Sequence, residues 1–165
     1  DMTSSSALRL TENEVHNSST HGVIVSVGTA LTDFTISGGK IYNAQGHGIY
    51  ILPSSGGTAK WGKIKDINII DCGQAANNTY DGIHLAGVAG CAITETRVHD
   101  NTIVSTTTPE HRYGINEAVA SGSNDYNFVY NNLIKKWGTA AVYVTATHSD
   151  VGTAASTDTN WDLGT

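Results

Sequence analysis

The sequence predicts an all-β solenoid of about five coils with three strands per coil. A motif that returns five times in register carries this reading. Val15-His16-Asn17 is followed by Gly22-Val23, Ile41-Tyr42-Asn43 by Gly48-Ile49, and Ile70-Asp71-Cys72 by Gly82-Ile83. Val98-His99-Asp100 precedes Gly114-Ile115, and Ile134-Lys135-Lys136 precedes Ala141-Val142. The positions 22, 48, 82, 114 and 141 are 26, 34, 32 and 27 residues apart, within the period of architectures that stack one unit on the next. Composition agrees: 18 Gly, only 2 Pro, and abundant Thr, Asn, Val and Ile describe short strands between tight turns.

Each coil is read as strand, turn, strand. First strands centre on Val15, Ile41, Ile70, Val98 and Ile134, and second strands on Val23, Ile49, Ile83, Ile115 and Val142. Third strands are expected at Leu8-Arg9-Leu10, Phe34-Thr35-Ile36, Ile67, Ala92-Ile93 and Phe128-Val129. A column of Asn13, Gly39, Asn68, Thr96 and Asn132 precedes the first anchors, where stacked amides could bond from coil to coil. The Gly column at 22, 48, 82 and 114 calls for positive φ or close backbone approach. Residues 1–145 are assigned to the coils and 146–165, where the repeat stops, to a cap or subunit-contact tail anchored by Trp161.

At 165 residues, 39% hydrophobic and 15% charged, the chain has room for one folded domain. A net charge of -6 with nine Lys and Arg offers no footprint for a phosphate backbone, so nucleic acid is not an expected partner. No apolar stretch reaches the roughly 20 residues of a membrane helix, so no membrane partner is expected and the protein should be soluble. Cys72 and Cys91 read as small buried hydrophobes, with a disulfide between neighbouring turns left open. The start at Asp1-Met2-Thr3 reads as a fragment, a processed product or a domain cut from something longer.

Spacing between the two anchors locates the candidate site. It is eight residues in three coils, thirteen from 70 to 83 and seventeen from 98 to 115, so Asp71 to Asp81 and His99 to Tyr113 are insertions on one edge. Two further long connections, Leu52 to Gly62 and Ala118 to Asp125, could wall a groove. His21, His47, Asp81, Tyr113 and Ala140 stand before the column Gly positions, which makes His47 and Asp81 a candidate hydrogen-bonded pair. Alternation points Ile24, Tyr50, His84, Asn116 and Tyr143 outward, a strip whose aromatics suit sugar ring faces and whose polar groups suit hydroxyls. The same strip equally suits a solvated strand face.

Glycoside hydrolysis needs two carboxyls. Asp81 and Glu110 are the preferred catalytic pair, with His47, Tyr50, His84, Arg112, Asn116 and Tyr143 as substrate-binding residues and His111 beside them. Solvated loop acids are the alternative reading of both carboxyls. Glu117 falls near an inward position and needs either a bulge or a buried partner. No acidic cluster has calcium-loop spacing, so no metal and no cofactor is expected.

The Asn-x-Ile and Gly-Ile repeats over residues 7–145 resemble the right-handed parallel β-helix superfamily, which includes pectate lyases, polygalacturonases, alginate epimerases and phage tailspike depolymerases. Gly46-His47-Gly48, Asn78-Thr79-Tyr80-Asp81-Gly82 and Lys63-Ile64-Lys65 are similar to polygalacturonase elements, but in inverted order, so that mechanism is not carried over. The resemblance implies a polysaccharide-binding protein, tailspike or pectin-lyase-like, extracellular or on a virion surface, and hydrolytic if catalytic. The other class it leaves open is a noncatalytic assembly solenoid that forms trimers or filaments through its faces or ends.

Overall fold

In the computed structural model, which describes residues 7–108, 111–118, 124–146, 148–152 and 161–162, every regular element is a strand and all pairings are parallel. The coils build four sheets rather than three. Sheet 1 stacks Leu8–Thr11, Phe34–Ser37, Lys63–Lys65, Arg97–His99, Phe128–Tyr130 and Asp150–Val151. Sheet 2 stacks Glu14–His16, Lys40–Tyr42, Asn68–Ile70, Thr102–Val104, Leu133–Lys135 and Trp161–Asp162. Sheet 3 stacks Val23–Val27, Ile49–Pro53, Ile83–Ala86, His111–Ala118 and Trp137–Val144. Among the described residues sheet 4 holds Ala30–Thr32, Thr58–Lys60 and Ala92–Thr94, and one bridge from Thr94 to Asp125 extends it into the next coil. Its strands bury a single side chain each, Leu31, Ala59 and Ile93, a signal too short to separate from a turn in the sequence.

Register converts the repeat into a core. Val15, Ile41, Ile69, Ile103 and Ile134 lie one over another in sheet 2, and Val23, Ile49, Ile83, Ile115 and Val142 do so in sheet 3. Ile36, Ile64, Val98 and Val129 fill the corresponding column of sheet 1. From Ile41 to Ile134 and from Ile49 to Ile115 these side chains are almost wholly removed from water.

Two of the expected first anchors are thereby corrected. The inward residue of the third coil is Ile69, not Ile70, and that of the fourth is Ile103, because Val98 belongs to sheet 1. The reason is chemical: strands of sheets 1 and 2 both end in a left-handed corner residue, so both carry the same apolar-x-Asx signature. Glu12, Asp66, Asp100 and Asn131 turn the chain after sheet 1, and Asn17, Asn43 and Asp71 after sheet 2, all with φ between 50° and 57°. Asn and Asp tolerate this conformation better than other residues with a Cβ. Among the expected third strands, Ala92-Ile93 falls in sheet 4 and Ile67 in a corner.

The amide column is real but has other members. Asn132 Oδ1 accepts the Asn101 backbone N–H at 3.1 Å and its side-chain amide at 2.9 Å, and Asn101 Oδ1 accepts the Ile67 N–H at 3.2 Å. Asn68 instead opens a strand, and Thr96 sits in the corner before sheet 1, where Asn127 Oδ1 accepts its N–H at 2.8 Å. Each buried amide thus satisfies corner backbone that no strand ladder reaches. For the Gly column, close approach decides. A Cβ on Gly48 or Gly82 would lie 2.5 to 2.6 Å from the next coil's carbonyl oxygen and from the Cγ2 of Ile69 or Ile103.

Glu117 points into the core, fully buried between Leu85 and Val144, and the buried-partner reading holds. Its Oε1 accepts from Asn127 Nδ2 at 2.6 Å and Ser149 Oγ at 3.0 Å. Burial pushes its pKa up. Cys72 and Cys91 are free and buried, and desolvation raises the Cys72 thiol to about 12. From the tail, two short strands continue sheets 1 and 2, while the Trp161 side chain lies outside the described residues. No helix is long and apolar enough to cross a membrane among the described residues.

Candidate functional site

The outer face of sheet 3 collects the chemistry, because the longest connections enter it. With the corrected anchors the spacing from sheet 2 to sheet 3 is fourteen residues in the third coil and twelve in the fourth, against eight elsewhere, so the insertions remain in those two coils. Strand pairing places Ile24, Tyr50, His84, Asn116 and Tyr143 side by side across five strands. Four of these, Tyr50 to Tyr143, line an open depression of about 350 Å³ together with Arg112 and Tyr113. Tyr113 is the lining residue that strand alternation alone does not select. A register shift between His111 and Tyr113 turns its ring onto Tyr143, stacked at 4.8 Å and 11°.

Asp81 is the hub beneath this strip, with no exposure to solvent. Arg112 donates to both carboxylate oxygens, Nε to Oδ1 at 3.0 Å and the terminal nitrogen to Oδ2 at 2.8 Å. Asn116 Nδ2 adds a bond to Oδ2 at 2.9 Å. His84 Nδ1 stands 2.9 Å from Oδ2 but out of line for a hydrogen bond, so this contact is electrostatic and the buried nitrogen has no aligned acceptor. Burial alone would oppose ionisation of Asp81; the contacts of His84, Arg112 and Asn116 outweigh it and hold the pKa at about 2. Arg112 in turn is raised by the bond to Asp81.

His47 and Asp81 do meet, through the backbone: His47 Nδ1 accepts the Asp81 N–H at 2.8 Å, while the carboxylate is 3.6 Å away. His21 Nδ1 likewise accepts the His47 N–H at 2.9 Å, and the two imidazoles stack at 5.1 Å. Accepting at Nδ1 fixes both rings as neutral tautomers with the proton on Nε2. Burial, then the neighbouring His84, lowers the His47 pKa to about 3. Tyr50, Tyr80 and His84 pack edge-on or tilted against His47 at 4.6 to 5.3 Å. Burial raises the Tyr50 phenol.

Of the expected catalytic pair, Asp81 is the described member and Glu110 lies outside the described residues. Asp71 is a local brace, accepting from Thr106 N–H and Oγ1 at 2.5 and 2.6 Å. His111 is buried away from the strip, its Nδ1 3.0 Å from Ser105 Oγ, and burial lowers it to about 4. Among the described residues His47, Asp81 and His84 bring potential metal-ligand atoms within 4.8 Å of one another. Yet His47 Nδ1 is committed to a backbone N–H and Arg112 occupies both Asp81 oxygens, so a cation would have to displace a guanidinium.

Stacked coils, columns of Val and Ile in register and a polar strip over one sheet define a parallel β-solenoid. The profile of the family described as "Right handed beta helix region" matches residues 27–157, and the chain belongs to that family. No curated protein and no solved structure matches the chain.

Proposed function

We propose that the sheet 3 face binds a polysaccharide chain, laid across the coils over Tyr50, His84, Arg112, Asn116 and Tyr143. The observation that carries this reading is the juxtaposition of the stacked Tyr113–Tyr143 pair with the Arg112 guanidinium in one open depression. Tyrosine faces stack on apolar sugar rings, and the guanidinium and imidazole donate to hydroxyl or carboxylate oxygens. Successive side chains are one strand spacing apart, about 4.8 Å, so each coil addresses a new stretch of an extended chain. The extracellular or virion-surface setting belongs to the same proposal.

Asp81 serves this reading as an anchor that fixes Arg112 and Asn116. A carboxylate held ionised at about 2 by a bidentate guanidinium is poorly matched to donating a proton near neutral pH. Hydrolysis would need a second carboxyl working with it. The assembly alternative calls for apolar exposed faces or complementary ends; among the described residues the exposed large apolar side chains Ile24, Trp61, Tyr126, Phe128, Leu133 and Tyr143 are spread over several faces.

Affinity electrophoresis of the full chain through gels containing pectate, alginate or dextran tests binding, with reducing-end release measured on the same polymers. Retardation that Tyr143→Ala and Arg112→Gln each weaken at least tenfold is the expected result. Unretarded migration in every polymer would overturn the proposal. Reducing-end release lost in Asp81→Asn would restore the hydrolytic reading.

A further inference from the structure

We infer that a second ligand site, for an anionic oligosaccharide, lies at the corner between sheets 4 and 1, on a different face from the sheet 3 strip. An open groove of about 430 Å³ runs there, lined by Asp33, Trp61, Lys63, Glu95, Arg97 and Phe128. Two independent features single it out.

The first is charge. Lys63 and Arg97 are direct partners across two parallel strands, both pointing outward, and neither side chain has an ion-pair or hydrogen-bond partner among the described residues. Like charges directly opposite each other on a sheet repel. The other basic residues of this sheet are treated differently: Arg9 is paired with Asp33 at 2.7 Å and Lys65 with Asp66 at 2.6 Å. In a protein of net charge -6, two adjacent cations whose side chains form no ion pair among the described residues leave room for an anion.

The second is aromatic exposure. Trp61 is 56% exposed at a corner where its φ is 55°, a conformation unfavourable for a bulky side chain, and it stands two residues before Lys63 in the chain. Phe128, 42% exposed, continues the Lys63–Arg97 row on the next coil. Cations flanked by two water-exposed rings recognise a ligand that has both an apolar face and a negative charge. A uronate-type sugar has both: the rings cover its C–H face and the cations meet its carboxylate. Asp33 is neutralised by Arg9, and Glu95, unpaired at the rim, offers an acceptor for sugar hydroxyls.

The full chain is titrated with tetragalacturonate, with maltotetraose and an eight-residue oligothymidylate as parallel probes, while tryptophan fluorescence is recorded. Tetragalacturonate is expected to quench a signal that Trp61→Phe abolishes, with affinity falling at least tenfold in Lys63→Met/Arg97→Met and falling as salt is raised. Tyr143→Ala should leave this signal unchanged, which separates the corner site from the sheet 3 strip. All substituted side chains are on the surface, and far-ultraviolet circular dichroism checks that each variant keeps its sheets. Equal quenching by maltotetraose, an unchanged affinity in the double variant, or tighter binding of the oligothymidylate would each overturn the assignment.

Discussion

Replacing Arg112 with Met removes a guanidinium while keeping most of the side chain's length and apolar stem. Asp81 would then sit without solvent exposure, keeping one aligned side-chain bond from Asn116 and the off-line contact of His84. Breaking a buried ion pair by removing one partner costs about 3 to 5 kcal/mol. The surviving Asn116 bond and the partial exposure of Arg112 place the expectation at the low end, about 3 kcal/mol at pH 7. The pH dependence follows from linkage. In the native protein the carboxyl titrates at about 2 against 3.8 as its ordinary value, so it contributes about 2 kcal/mol that is present above pH 3.8 and lost as pH falls through 2. Without Arg112 one of the contacts that lower the carboxyl is lost, so its pKa moves up from about 2 toward the ordinary value and protonation relieves the variant at a higher pH than the native protein. The destabilisation should therefore shrink between pH 7 and pH 3. Urea unfolding followed by circular dichroism measures it: with a slope of about 2 kcal/mol per molar, the midpoint should drop by roughly 1.5 M at pH 7. Arg112→Met/Asp81→Asn should recover at least half of that loss. A midpoint within 0.3 M of the native protein at pH 7, on the same slope of about 2 kcal/mol per molar, or strict additivity in the double variant, would refute the account of Asp81 as a charge held by Arg112.

Other expectations concern the histidine ladder, the glycine column and the strip. His47 is neutral in the fold with a pKa of about 3 against 6.5 as its ordinary value, so the unfolded chain binds more protons between those values. Stability is then full above pH 6.5 and falls as pH drops toward 3, by up to roughly 5 kcal/mol from this group; thermal melts of His47→Gln should show a flatter profile across that window. Gly82→Ala forces a Cβ against the Gly114 carbonyl and Ile103, and should cost about 3 kcal/mol, whereas Gly28→Ala meets nothing within 4 Å and should stay within about 0.5 kcal/mol of the native protein. Equal melting temperatures for the two would discard close approach as the reason for the column. Asn132→Ala leaves the buried Asn101 N–H without its acceptor and should lower stability by about 2 kcal/mol, read from a chemical melt. Tyr113→Ala and Tyr143→Ala should weaken glycan retardation by similar factors and together by no more than about twice one alone, because the rings act as one stacked surface.

The apolar and glycine repeat was sufficient to set the stacking axis, the register of sheet 3 and the outward row from Tyr50 to Tyr143. Two-residue alternation is a local property, and identical coils place like residues over like. It could not separate sheet 1 from sheet 2, since Val98-His99-Asp100 and Val15-His16-Asn17 encode the same strand-to-corner event and differ only in which corner they turn. Nor could it see sheet 4, whose strands bury one residue each. The insertions were visible as spacing, and the positions before the column glycines already paired His47 with Asp81, but the bidentate reach of Arg112 to Asp81 across 31 residues of sequence was not visible. Such contacts depend on how loops of unequal length cross neighbouring coils, which no local pattern records. What the sequence determined by itself was a solenoid with one enriched face, because strand period and glycine placement are written residue by residue. Only the tertiary structure decided that Asp81 is a buried, paired anion and Glu117 a core residue, because burial and charge partners arise between coils that are distant in the chain.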